Sequence, residues 1–169
     1  AEAVATAVFT TPAGGDLLPI EVSTVKRTGK VTLTGSLGDV IQESAHAAVT
    51  YARAHAKELG YGKTNFDKLD IHLHVPQGGL PKDGPSAGMA IVAALISALA
   101  HRKVRAGVSM TGEITLRGRV LPVDRMKEKI LAAQRAGIET FVMPYGNRQD
   151  LEDLPDDVRQ GMELSLIHI

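Results

Sequence analysis

The chain has no cysteine and no tryptophan, and aromatic residues make up only 4% of its 169 positions. Without a thiol there is no disulfide scaffold, no cysteine nucleophile and no thiolate metal site, a composition that fits a reducing compartment. The shortage of rings implies an aliphatic, alanine-rich core and weakens any case for base-stacking platforms. Neither sign of charge is in excess: nineteen Lys and Arg face nineteen Asp and Glu. That balance offers no overall electrostatic footprint for nucleic acid or an acidic membrane. The longest apolar run, Met89–Ala100, falls short of the roughly 20 residues that span a bilayer. The chain opens Ala1-Glu2-Ala3, with no initiating Met and no basic-then-apolar leader. A single domain is expected, cut from a longer polypeptide.

What is present alternates between short apolar runs and glycine-rich turns. Val4–Thr10 reads as a strand, and Leu18–Val25 and Val31–Thr34 as two more, joined by a hairpin through 26–30. Asp39–Leu59 carries apolar residues mostly at three- and four-residue spacing, with Gly60 to close a helix. A strand over Ile71–Val75 precedes a loop of Gly, Pro and Asp, and a helix is predicted from about Ser86 to His101. Val108–Thr111, Glu113–Thr115 and Val120–Val123 are strand-like, Met126–Ala136 helical and Thr140–Met143 a strand. Arg148–Leu154 reads as a short helix and Leu164–Ile169 as a last strand. Without a regular βαβ repeat, this order predicts a mixed-sheet α/β or α+β-like fold, not a doubly wound one.

The most informative segment is Pro81-Lys82-Asp83-Gly84-Pro85-Ser86-Ala87-Gly88. It places a serine where a helix begins, beside backbone N–H groups that have no intrahelical partner. A phosphate-loop reading fails because Pro85 stands where the lysine must be and has no N–H of its own. Gly84-Pro85-Ser86-Ala87-Gly88 matches the G-x-S-x-G of esterases, whose strand runs directly into the nucleophile turn. Here ten residues intervene, and the only later histidines are His101, on the same helix, and His168, at the chain's end.

A serine activated by lysine is the third reading. The lysine must be neutral to act as a base, so it has to be desolvated. At about 100° per residue, Lys129 falls with Ala133, Ala136 and Met126 on the apolar side of its helix. Lys127 falls beside Gln134, with Glu128 and Arg135 marking the solvent face. Periodicity alone also permits Lys129 to extend past the apolar rim to water.

These segments, together with His72-Leu73-His74-Val75-Pro76, Met110–Gly118 and Lys127-Glu128-Lys129, resemble the proteolytic domain of ATP-dependent Lon proteases. The similarity is to the branch with serine in a Lys-Asp-Gly-Pro-Ser-Ala-Gly context, and it runs from Gly14 to Pro144. The resemblance implies that fold, and a Ser–Lys dyad with Ser86 as nucleophile and Lys129 as general base. It implies that Thr111 orients the lysine, and that the N–H of Ser86 with one from Gly84 or Asp83 receives the oxyanion. Asp83 would fix the loop, because a carboxylate beside Lys129 would raise its pKa. His72 and His74 share a strand face at metal-ligand spacing but have no third ligand nearby, so His74 is expected to support the loop. Where the family commonly has two glycines before the lysine helix, this chain has Asp124-Arg125, which alters the allowed turn conformations.

The resemblance further implies a serine endopeptidase acting on unfolded polypeptides, held extended along a strand edge. It would be fed by an ATP-driven module in a cytoplasmic ring of six subunits. No intact Walker A motif occurs in the chain. Neither ATP nor metal is therefore expected in this domain, and no nucleic acid or membrane partner. The competing readings are a non-catalytic oligomerisation or peptide-binding module and, further off, a Ser–His–acid esterase.

Overall fold

The computed structural model describes residues 2–11, 14–35, 37–76 and 84–167. Its centre is a seven-stranded mixed sheet in the order β3-β4-β2-β1-β5-β8-β9. The strands are β1 (Glu2–Thr11), β2 (Gly14–Lys26), β3 (Val31–Thr34), β4 (Leu69–His74), β5 (Val108–Met110), β8 (Thr140–Pro144) and β9 (Glu163–Ile167). A separate two-stranded unit pairs β6 (Glu113–Ile114) with β7 (Val120–Leu121). The helices are α1 (Asp39–Ala54), α2 (Gly88–Ala100), α3 (Met126–Arg135) and α4 (Asp156–Gln160).

Alternation along the strands divides the apolar residues between two faces. Ala3, Ala5 and Ala7 of β1, Leu18, Ile20 and Val22 of β2, and Ile71 and Leu73 of β4 are buried with α1 and α2. Val8, Phe141 and Met143 point the other way and pack with Met126, Ile130 and Ala133 of α3. The small alanines of β1 let α2 lie close on the sheet, and Ala90, Ala94 and Ala98 supply its matching face. The aliphatic core inferred from composition is therefore built as two layers.

The predicted hairpin between Leu18–Val25 and Val31–Thr34 does not form. β4 lies between them, antiparallel to β2 and parallel to β3. The connecting segment is held from outside, by Asp70 Oδ1 accepting the N–H groups of Thr28 at 3.0 Å and Lys30 at 2.9 Å. Those N–H groups, Lys30 first, keep the Asp70 carboxyl below its usual pKa. A carboxylate forty residues away has replaced the local turn bonds that a hairpin would use.

The helix predicted to Leu59 ends regularly at Ala54. The buried hydroxyl of Tyr61 donates to the Ala52 carbonyl at 2.8 Å, and the Ala56 N–H turns instead to Arg53. Burial pushes the Tyr61 phenol up to about 12. A short 3-10 turn, Phe66–Lys68, and α4 went unrecognised in the pattern, and Tyr145–Asp153 is a 3-10 helix spanning the predicted Arg148–Leu154 helix. The remaining elements fall within a few residues of their predicted positions.

Phe141, fully buried between the sheet and α3, tests the second layer. Phe141→Ala should cost about 3–5 kcal/mol of stability. Urea unfolding should show this as a lower midpoint.

Candidate active site

The site forms where the start of α2 meets the end of β5. Pro85–Ala87 is a 3-10 turn leading into α2, with proline at its first position, where a missing N–H costs nothing. Gly84, just before it, has φ +128°, a conformation that side-chain-bearing residues rarely adopt. Ser86 therefore sits half-buried on the turn that opens the helix. The helix itself begins two residues later than the predicted start.

Two backbone bonds clamp this turn to the segment after β5. The Gly112 N–H donates to the Ser86 carbonyl at 2.9 Å, and the Met89 N–H donates to the Gly112 carbonyl at 2.9 Å. Gly112 has φ +156°, and a Cβ there would lie 2.8 Å from Val120 Cγ1 and 3.3 Å from Met89 Cβ. Only a residue without a side chain lets the strand end approach the helix so closely.

Thr111 is fully buried beside the clamp. Its Oγ1 reaches the Ser86 carbonyl at 3.5 Å and accepts from Lys129 Nζ at 3.4 Å. Both are long hydrogen bonds, and together they string lysine, threonine and serine backbone in one line. Lys129 is only 4% exposed, so its chain stays inside instead of extending to water. Burial pulls its pKa down to about 8, with Asp124 opposing and Arg125 reinforcing the shift. Lys127, two positions earlier, is exposed.

The Asp124-Arg125 departure has a structural answer. Arg125 occupies the left-handed region at φ 57° and ψ 39°, the residue from which α3 starts. The turn thus retains a conformation that glycine takes readily, while an arginine bears its strain. Arg125 also pairs with Glu128 one turn on, and its carbonyl accepts the Lys129 N–H at 3.2 Å. Asn147, which sequence reasoning did not single out, holds the approach to this turn. Its side chain bonds both the N–H of Val123 at 3.0 Å and the carbonyl of Val123 at 2.8 Å, as a neighbouring strand would. Nothing local in Tyr145-Gly146-Asn147 announces that role.

Of the other expected residues, Asp83 lies outside the described residues, as does His168. His74 Nδ1 meets Thr34 Oγ1 at 2.6 Å, and His72 Nε2 meets the same hydroxyl at 2.9 Å. The two rings thus tie β4 to β3. No group of three potential metal ligands occurs among the described residues, and no helix among them is long and apolar enough to cross a membrane.

The chain is thus a mixed α/β domain with a serine at a helix-opening turn and a buried lysine on the helix across the sheet. The family profile for the Lon protease (S16) C-terminal proteolytic domain matches residues 2–169, and the chain belongs to that family. Similar proteins include a Lon protease of Desulforamulus reducens, 53% identical over 93% of this chain. Lon protease 2 of Herpetosiphon aurantiacus is 55% identical over 93%, and the Lon protease of Escherichia coli K12 is 54% identical over 91%. The chain spans about a fifth of the length of these relatives, from 19% to 20%.

Burial of Lys129 makes stability depend on pH. Its folded pKa lies below the unfolded value, so the unfolded state holds more protons between about 8 and 10.5. Stability should rise with pH through that window, and the burial penalty is complete below it. Lys129→Met should therefore stabilise the fold at neutral pH by roughly 3 kcal/mol. Denaturant titrations at several pH values should show this gain fading toward the unfolded lysine pKa.

Relieving Arg125 of its left-handed conformation should outweigh its exposed pair with Glu128. Arg125→Gly is expected to leave stability unchanged or raise it by up to about 1 kcal/mol. Thermal melts compared with wild type would measure the difference.

Proposed function

We propose that this chain is a serine endopeptidase domain in which Ser86 is the nucleophile, Lys129 the general base and Thr111 the residue that orients the lysine. The observation that carries the reading is a lysine with a pKa near 8, buried and hydrogen-bonded to Thr111, which itself reaches the Ser86 carbonyl. An ordinary lysine would be protonated at neutral pH and could not take a proton.

The chemistry is acyl transfer in two halves. Neutral Lys129 takes the Ser86 hydroxyl proton as Oγ attacks a peptide carbonyl, and the lysinium then gives a proton to the departing amine. Water, activated by the same lysine, attacks the acyl-enzyme and releases Ser86. The oxyanion falls near the helix-opening turn, where the Ser86 N–H and one from Gly84 or Asp83 are the donors. Pro85 has no N–H to contribute. The clamp to Gly112 fixes the Ser86 carbonyl, and so keeps the turn from rotating as charge develops.

The substrates are unfolded polypeptides, taken as an extended strand. The relatives' names make them Lon proteases, and the corresponding setting for this domain is a cytoplasmic homohexameric ring. An ATP-driven module there delivers the chain to be cut. Neither metal nor cofactor enters the steps assigned to Ser86 and Lys129.

Cleavage of a flexible peptide by single-site variants tests the dyad. Lys129→Ala should lower kcat/KM by about 100-fold or more, the scale of general-base catalysis. Lys127→Ala should stay near wild type. In the wild type, kcat/KM should climb about tenfold per pH unit below the lysine's pKa near 8 and level off above it. Full activity in Lys129→Ala would overturn the assignment. A well-folded chain whose Ser86 resists a fluorophosphonate would point instead to a non-catalytic module.

A further inference from the structure

At the far end of α2 from Ser86, the domain has a concave site of about 660 Å³, within the range of small-molecule pockets. The helix has 13 residues, which places the site about 20 Å from the serine. Its walls carry Lys26, Arg27, Lys63, Lys68 and His101, and no carboxylate is among the residues that line it. The floor is the last apolar turn of α2, Ala98 and Leu99.

Balanced overall charge makes this gathering notable, because it comes from unrelated parts of the chain. Lys26 closes β2, Arg27 follows it, Lys63 lies in the turn after α1, and Lys68 ends the 3-10 turn before β4. The carbonyl end of α2, capped by His101, attracts cations. It does not account for four cations brought in from three other segments. Arg27 feels Asp70 across the sheet edge. Lys26, Lys63 and Lys68 are in no ion pair among the described residues. An adjoining hollow shares Lys63 and His101 and adds Lys57, again with no carboxylate.

Like charges crowded around a hollow repel one another, and an anion seated among them relieves that repulsion while accepting several charge-assisted hydrogen bonds. Thr24 and Thr64 line the same cavity, alongside the cations. The cavity admits a compact ligand. We propose that this cleft binds a small, multiply charged anion of the phosphate type, at a site separate from Ser86.

Calorimetry with inorganic tripolyphosphate on the 169-residue chain tests this. Binding is expected, with affinity falling as salt is added and melting temperature rising with ligand concentration. Lys63→Gln with Lys68→Gln should weaken it by at least about tenfold. Lys127→Gln with Arg159→Gln, an equal charge change on other exposed sites, should leave it intact. Ser86→Ala should bind as wild type does, so failure of the peptidase reading would not touch this one. Circular dichroism of each variant establishes that it is folded. Absent binding, or equal loss in both double variants, would overturn the proposal. So would tighter Lys63- and Lys68-dependent binding of polyglutamate, which would make the cleft a docking site for acidic protein.

Discussion

The pairing of Ser86, Gly112 and Met89 through two 2.9 Å backbone bonds is the constraint on which the rest of the site depends. It joins the opening turn of α2 to the end of β5, two segments some twenty-five residues apart in sequence. Both bonds use groups that would otherwise be orphaned, at a helix start and past a strand end. Because Gly112 has no side chain, the two backbones can come within bonding distance. Thr111, the next residue back, is thereby fixed under the serine with its hydroxyl turned toward α3.

From that fixed point the lysine can be placed from the opposite side of the sheet. α3 packs by Met126, Ile130 and Ala133 against Val8, Phe141 and Met143, and this packing carries Lys129 inward with them. A lysine so placed resists protonation, since water can no longer solvate its charge. The fold bears a cost in stability for having a base available near neutral pH. The strained Arg125 at the head of α3 and the Asn147 bonds to Val123 set where that helix begins. They therefore set the depth at which Lys129 enters.

The far end of α2 shows the same helix used differently. Its first turn presents backbone donors and a serine, whereas its last turn forms the apolar floor of a hollow ringed by cations. One rigid rod separates the two, so that what occupies one end does not block the other. The histidine pair on β4 has a simpler part. Sharing the Thr34 hydroxyl, His72 and His74 join the edge strand β3 to its neighbour β4.

Much of this was legible in the residues themselves. The period of Met126–Arg135 put Lys129 on the apolar face of its helix but left its amine free to reach water, and Gly84, Pro85 and Ser86 announced a turn opening an apolar helix. Both signals are local, set by side-chain spacing and allowed backbone angles. The strand order was not legible, because whether β4 inserts between β2 and β3 depends on Asp70 capturing backbone groups at Thr28 and Lys30. The end of α1 depended on the Tyr61 hydroxyl, and the lysine helix on Asn147. By itself, the sequence determined which residues could be buried and where helices could start. Tertiary structure alone decided which buried groups would meet, since hydrogen bonds between distant segments exist only after the sheet has brought them within about 3 Å of one another.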